Sequence, residues 1–328
     1  MSVKLQTGRA VVTGAAGFIG SHLAETLLRQ GRHVTGIDRR SPASDPVAAG
    51  NLAGPLGHSG FQLVEGDLRE LDLTTLVDGA SAVFHLAAVP GVRSSWGDRF
   101  ADYLGSNVLA THRLLDACAA AGVPRMVIAS SSSVYGGGAG RASREADLPM
   151  PLSPYGVTKL AAERLALAYA ARPGSRLSVV ALRYFTVYGP RQRSDMAIGR
   201  VLRAIRTGDP LCLYGDGTQR RDFTYVDDVV AATIAAATAP ARAEAVNVGG
   251  GRSVSMLDVL ECAAMLAGRD VPVVRDASQP GDVDVTEADL TKARDLLGYA
   301  PSVPLAEGMR RQWEWLAAQL PEPAGALS

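Results

Sequence analysis

Through the first half of the chain, short apolar runs alternate with stretches of helical period. AVVTG at 10–14 opens the series and a helical stretch near 21–30 follows it. HVTGID (33–38), FQLVEGD (61–67), AVFHLAA (82–88), RMVIASSSSVYG (125–136) and LSVVALRYF (177–185) continue it. Apolar runs this short suit strands of a parallel sheet covered on both faces. Strand–helix alternation is the rhythm of βαβ units, so the pattern predicts an α/β fold with a doubly wound parallel sheet. The stretch 41–60, rich in Pro, Gly, Ala and Ser, reads as a partly mobile surface loop. The chain shows no internal repeat.

Composition narrows the function classes. A chain of 328 residues, 47% hydrophobic and 20% charged, is an ordinary globular protein long enough for two domains. Its 33 basic and 33 acidic residues cancel, which leaves no electrostatic footprint for nucleic acid or an anionic membrane. The early apolar stretch 10–19 is broken by glycines and fits neither a signal peptide nor a spanning helix, so a cytoplasmic protein is expected. Cys118, Cys212 and Cys262 are far apart and odd in number, which reads as three small hydrophobes rather than a disulfide framework or metal site. The five histidines form no ligand pattern. Trp313 and Trp315, in the helical RRQWEWLAAQL, read as packing residues.

The first chemistry lies in TGAAGFIG (13–20), where Gly14, Gly17 and Gly20 are spaced G-x-x-G-x-x-G between a strand and a helix. Missing side chains let the backbone approach a pyrophosphate, and the helix N-terminus offers N–H donors and partial positive charge. Asp38 ends the next strand. Its carboxylate can accept from adenine-ribose hydroxyls and repels a 2′-phosphate, which favours NAD over NADP, although the adjacent Arg39 and Arg40 could instead hold a phosphate. Asp67, closing the third strand, is a candidate for the adenine edge or a simple loop cap.

YGVTK places Tyr155 and Lys159 four apart behind Ser153-Pro154. Ser as N-cap and Pro at the first helical position start a helix there, so both side chains share one face. A neighbouring lysine charge is expected to bring the phenol down from about 10 toward neutrality.

Together TGAAGFIG, HLAA, SSSSVYG, YGVTK, RYFTVYGP and GDGTQRRDFTYVDD resemble the extended short-chain dehydrogenases/reductases that act on nucleotide sugars, over nearly the whole chain. The resemblance implies a Rossmann domain at 1–182, with a return segment near 224–250, and a smaller, interleaved sugar-nucleotide domain drawn mainly from 183–328. It implies catalysis by Ser131, Tyr155 and Lys159. It implies tightly bound NAD, held by Gly14, Gly17, Phe18, Ile19, Asp38, Arg39, Asp67, Leu68, Leu86, Ala87, Ala88, Asn107, Tyr155 and Lys159, with Asn107 a structural or lysine-orienting residue. A homodimer is implied as well, through a four-helix bundle of the helices near 108–121 and 160–171.

What surrounds the sugar selects the chemistry. Dehydratases of the family carry Asp and Glu after the catalytic hydroxyl; this chain has Ser132 and Ser133, which argues against dehydration and offers donors to an anionic substituent. Thr186 stands where many sugar-nucleotide epimerases have Asn, and Gln279 in QPGDV (279–283) where they have Arg. With Arg193 and the run Asp195-Met196-Ala197, these departures resemble the UDP-glucuronic acid 4-epimerase subgroup. The resemblance places Arg93, Ser131, Ser132, Ser133, Thr186, Arg193, Arg221, Gln279 and Asp282 around the UDP-sugar, with Arg221 at the diphosphate and Arg220 exposed. The expected reaction is conversion of UDP-glucuronate to UDP-galacturonate through a 4-keto sugar. The rivals are a UDP-glucuronate decarboxylase, a UDP-glucose/galactose 4-epimerase and a non-catalytic dinucleotide-binding protein.

Overall fold

A computed structural model describes residues 8–137, 140–277 and 283–320. The strands are β1 (Ala10–Thr13), β2 (Val34–Asp38), β3 (Phe61–Glu65), β4 (Ala82–His85), β5 (Arg125–Ser131), β6 (Ser178–Tyr184), β7 (Thr186–Tyr188), β8 (Leu211–Tyr214), β9 (Arg220–Tyr225), β10 (Ala243–Val248), β11 (Ser253–Ser255) and β12 (Val273–Asp276). The helices are α1 (Phe18–Arg29), α2 (Pro46–Leu56), α3 (Leu73–Val77), α4 (Phe100–Tyr103), α5 (Ala110–Ala120), α6 (Pro154–Ala171), α7 (Ala197–Thr207), α8 (Val226–Ala236), α9 (Met256–Ala267), α10 (Thr291–Leu297) and α11 (Leu305–Gln319).

All six strands read from the apolar runs form, and they pair in parallel in the order β6-β5-β4-β1-β2-β3. The chain comes back after β9 to lay β10 parallel to β6 as the seventh strand. The sheet is Rossmann-like, and its order reverses direction at β1, where ligands of such sheets bind beyond the carboxyl ends. Beyond β6 the chain builds a three-stranded sheet, β11-β9-β7, and a β8–β12 pair.

The segment 41–60 departs from expectation: it holds α2 rather than a loop. Asp45 caps the helix by accepting from the Val47 and Ala48 amides, and Pro46 occupies the first turn, where its missing N–H costs nothing. Ala48 and Leu52 then bury against Ala16, Phe61 and Leu63, and Asn51 Nδ2 donates to the Ala16 carbonyl at 2.9 Å. Packing outweighs the low helix propensity of the glycines.

Ser153 and Pro154 start α6 as read, with the Ser153 hydroxyl accepting from the Gly156 amide at 3.1 Å. Trp313 and Trp315 pack half-buried against the main core. The three cysteines are free, two of them buried. Among the described residues no helix is long and apolar enough to cross a membrane.

Candidate active site

The carboxyl ends of β1, β2, β4 and β5 and the start of β7 carry most of the residues that the sequence singled out. At the turn after β1, Gly14 has φ +73°, and a Cβ there would lie 2.8 Å from the Ala87 amide nitrogen, so no side chain fits. Gly20 is equally constrained, since its Cβ would stand 2.0 Å from the Gly14 carbonyl oxygen. Gly17 caps α1 without a side chain, which leaves the first-turn amides of Phe18 and Ile19 facing outward with helix-dipole positive charge. Leu86, Ala87 and Ala88 follow β4 half-buried, and the amides of Leu86 and Ala87 donate to Thr13.

Asp38 is 9% exposed and turned into this cradle: its carboxylate accepts from the Ala16 amide and from the Arg40 amide, each at 3.0 Å. The arginine beside it is Arg40, 3.5 Å away, whereas the charge of Arg39 acts on Asp67. The cradle and the acidic end of β2 fit a dinucleotide with a free 2′-hydroxyl. Asp67 takes the loop-cap geometry. The Arg69 side chain grips its carboxylate at 3.0 and 2.8 Å and holds it down to about 2, and Leu68 beside it is buried.

Asn107 lies in a π-helical turn, Leu104–Leu109, and is 1% exposed. It exchanges hydrogen bonds with the Val89 backbone at 2.7 and 3.0 Å and donates to Thr158 Oγ1 at 3.1 Å. It thus clamps the loop after β4 to α6 next to Lys159, acting on the neighbour and not on the amine.

Ser131 and Tyr155 come together, and Lys159 lies one turn further along α6. Ser131 ends β5, 8% exposed, accepts from the Ser133 amide at 3.1 Å and lies close enough to the Tyr155 phenol to favour its ionised form. Ser132 and Ser133 turn away from the strand in a single 3₁₀ turn. Tyr103, fully buried, meets the Tyr155 ring edge-on at 6.3 Å. The expectation for the phenol is corrected: burial pushes Tyr155 above its ordinary range, and what pulls it back is first the Ser131 hydroxyl and then the charge of Arg193. Lys159, 5% exposed, is itself pushed down to about 8 by burial, with the Glu163 carboxylate opposing. Position on one helix face did not reveal that both groups would be desolvated.

The residues expected around the sugar divide. Thr186 opens β7, paired with Phe223 of β9. Arg193 comes close enough for its charge to act on Tyr155, and Asp195 holds its Nε and Nη2 at 2.9 and 2.5 Å. The Arg93 guanidinium stacks on the Tyr214 ring, 4.1 Å from its centroid, joining the loop after β4 to β8. Arg221 donates to the carbonyls of Arg220 and Asp284, and the exposed Arg220 to Ser253. Gln279 and Asp282 lie outside the described residues. Cavities of about 730 and 1010 Å³ are lined by other residues, Arg220, Ser253 and Cys262 in one and Arg144, Arg164 and Lys292 in the other.

Sequence reading missed Tyr103, Glu163 and Arg183. The last two carried a signal: an Arg inside the apolar run LSVVALRYF and a Glu one helical turn after Lys159 are charges on faces that must be buried.

Comparison with known proteins adds to this geometry. Residues 10–249 match the model of the NAD dependent epimerase/dehydratase family. The chain is 42% identical, over 94% of its length and 98% of the relative, to an uncharacterized UDP-glucose epimerase, YtcB, of Bacillus subtilis (strain 168). It is similar to MoeE5, solved with UDP-glucuronic acid and NAD and also with UDP-glucose and NAD. In the UDP-glucuronic acid complex the identity is 50%, over 95% of this chain and all of MoeE5, with a TM-score of 0.87. It is also similar to the UDP-glucuronic acid 4-epimerase of Bacillus cereus, solved with UDP-glucuronic acid and NAD, at 41% identity and TM-score 0.90 over 95% of this chain and all of that one.

Proposed function

The chain belongs to the NAD-dependent epimerase/dehydratase family and is an NAD-dependent nucleotide-sugar 4-epimerase, and we propose that its substrate is UDP-glucuronate, epimerised at C4 to UDP-galacturonate. The observation that carries the choice of sugar is Arg193. Its guanidinium is near enough for its charge to act on the Tyr155 phenol and is already held through two nitrogens by a carboxylate, that of Asp195. A planar fork of this kind matches carboxylates, and its remaining N–H groups can take a uronate next to the reacting carbon.

In this reading residues 1–182 and the segment near 224–250 hold the cofactor, and 183–328 mainly the sugar nucleotide, with Arg221 at the diphosphate. The glycine turn, Asp38 and the open amides of α1 would hold the dinucleotide, and NAD bound there would supply the hydride acceptor and donor for the redox change at C4. Tyr155 removes the C4 hydroxyl proton as the carbonyl forms, with Ser131 donating to the phenolate and Lys159 adding positive charge. The keto sugar turns in the pocket, and Tyr155 returns the proton to the oxygen on the opposite configuration. A 4-keto uronate is a β-keto acid, which loses carbon dioxide when its C–C bond aligns with the carbonyl π system. Arg193, Thr186 and the serines hold the carboxylate out of that alignment and offset its lost hydration.

A cofactor restored in every cycle has no reason to leave. The purified protein is therefore expected to carry NAD, seen by chromatography after denaturation, and to turn over without added cofactor. A requirement for external NADPH would overturn the role of Asp38. Thr186→Val removes one hydrogen bond to a charged group, about 1.5 kcal/mol, and is expected to lower kcat/KM for UDP-glucuronate roughly tenfold while sparing UDP-glucose. Equal loss on both sugars would remove Thr186 from the carboxylate. Parallel kcat/KM values for the two sugars on the unaltered protein test the substrate: UDP-glucuronate is expected to be preferred, and preference for UDP-glucose contradicts the reading. A homodimer through α5 and α6 belongs to the same proposal, and Leu109 and Val157 are exposed apolar side chains at those helices, 54% and 48% exposed. Light scattering on the eluting protein would give twice the chain mass, and the monomer mass would exclude it.

A further inference from the structure

The face of the large sheet beneath α6 is apolar until its last positions. Met126 and Ile128 of β5 and Val179 and Ala181 of β6 pack with Ala162, Ala166 and Ala170 of the helix. The next inward positions toward the carboxyl ends are Ser130, Arg183 and Glu163. They are as buried as the apolar ones, at 4%, 1% and 0% exposure. Ser130 and Arg183 are register partners across β5 and β6, and both reach the same carboxylate. The Ser130 hydroxyl donates to Glu163 Oε2 at 2.7 Å, and the Arg183 fork closes on Glu163 at 3.0 and 2.6 Å. Arg183 Nη1 donates to the Tyr135 hydroxyl at 2.8 Å, which donates to Asn247 Oδ1 at 2.7 Å.

Stability alone does not account for this cluster. Desolvating two charges costs about what their attraction returns, and replacing such a pair by apolar residues is often neutral or favourable. Its location is more telling: Glu163 stands one turn after Lys159, Ser130 immediately precedes Ser131, and Arg183 is three residues before Thr186. We propose that Glu163 is a positioning residue of the active site: its carboxylate, one helical turn from Lys159 and held by Ser130 and Arg183, ties together the three segments bearing Ser131, Lys159 and Thr186 and sets the surroundings of the Lys159 amine. The inference rests on the acid/base roles given above and is independent of which sugar is turned over.

The other groups facing Lys159 cannot supply this charge. Tyr155, on its own helix, is pushed toward the neutral phenol. His85, on β4, is held between Thr13 and Thr111 and kept neutral, down to about 3, by burial and then by the Lys159 charge. Arg183 on β6 is itself a cation, and Asn107 and Ser131 are uncharged. Among the described residues, Glu163 is the carboxylate that opposes the burial of the amine.

The chain has three lysines, Lys4, Lys159 and Lys292, so the amine can be read directly. In NAD-loaded protein labelled with ¹³Cε-lysine, the signal absent from Lys159→Met identifies Lys159, and its titration midpoint is expected at about 8. In Glu163→Gln, which keeps the shape but removes the charge, the midpoint is expected to fall by about one unit or more. With a fall of about one unit, kcat at pH 8 relative to pH 6 would drop about fivefold, since the cation is lost as pH rises through the lowered midpoint. Because Glu163→Gln leaves Arg183 buried without its partner, the double variant Glu163→Met/Arg183→Met is measured beside it. It removes both charges, is expected to melt near the unaltered protein, and should show a smaller downward shift, because loss of the Arg183 cation offsets part of the loss of the carboxylate. A midpoint unchanged in whichever variant folds and retains NAD overturns the proposal and leaves the cluster a structural pair. A shift with no uronate activity would keep it and refute only the substrate.

Discussion

Tyr155→Phe is expected to retain fold, NAD and substrate affinity while losing turnover by roughly a hundredfold to ten-thousandfold, the range for removal of a positioned proton-transfer group. The Ser131 hydroxyl and the Arg193 charge both act on this phenol, and neither group is a base that could take over its proton transfer. The split between kcat and KM is the informative part. Loss confined to kcat marks a group that acts in the transition state, whereas a raised KM with normal kcat would place Tyr155 in binding alone. Near-normal turnover would contradict the mechanism.

Arg193→Ala is the second large effect, and the structure changes how it is to be read. Arg193 is 38% exposed, so truncating its pair with the uronate carboxylate is expected to cost near the low end for such pairs, about 2 kcal/mol, or roughly a thirtyfold fall in kcat/KM on UDP-glucuronate. Its charge also lowers the Tyr155 phenol, and that contribution is lost on any sugar. The carboxylate contact is therefore measured by the excess loss on UDP-glucuronate over UDP-glucose, not by the loss on either. Arg193→Lys keeps the charge without the fork and should recover the common part only. Any residual flux on the uronate should yield more pentose, because the carboxylate of the keto intermediate is no longer held away from alignment. Equal losses on the two sugars would assign Arg193 to the phenol or the diphosphate.

What the sequence disclosed and what it hid separate along a physical line. Local chemistry was legible: Gly14 is required by a positive φ and a backbone contact, and Ser153-Pro154 caps α6, features that depend on a few neighbouring residues. Five of the six strands were legible because burial on both faces leaves a mostly apolar run, whereas β3, at the sheet edge, is only partly buried and shows through Phe61, Leu63 and Val64. The helix α2 was not, because Asp45 and Pro46 can start either a turn or a helix, and the choice rests on Leu52 finding Phe61 and Leu63. The state of the catalytic pair was hidden for a related reason. Spacing put Lys159 next to Tyr155, but burial of both, and the Glu163 carboxylate beneath the lysine, arise only when α6 lies on β5 and β6. Asp67, read as a partner of the adenine edge or a loop cap, accepts from the Arg69 amide and side chain, a local geometry that its own neighbours set.

The central claim, reversible oxidation at C4 of a uronate with its carboxylate retained, is tested most directly by following ¹H NMR of UDP-glucuronate incubated with the purified protein and no added cofactor. The account predicts the anomeric signal of UDP-galacturonate growing to a stable mixture with UDP-glucuronate, with no pentose and no carbon dioxide. Accumulation of a UDP-pentose would make the protein a decarboxylase. An unchanged spectrum, beside interconversion of UDP-glucose and UDP-galactose, would show that Arg193 does not select a uronate.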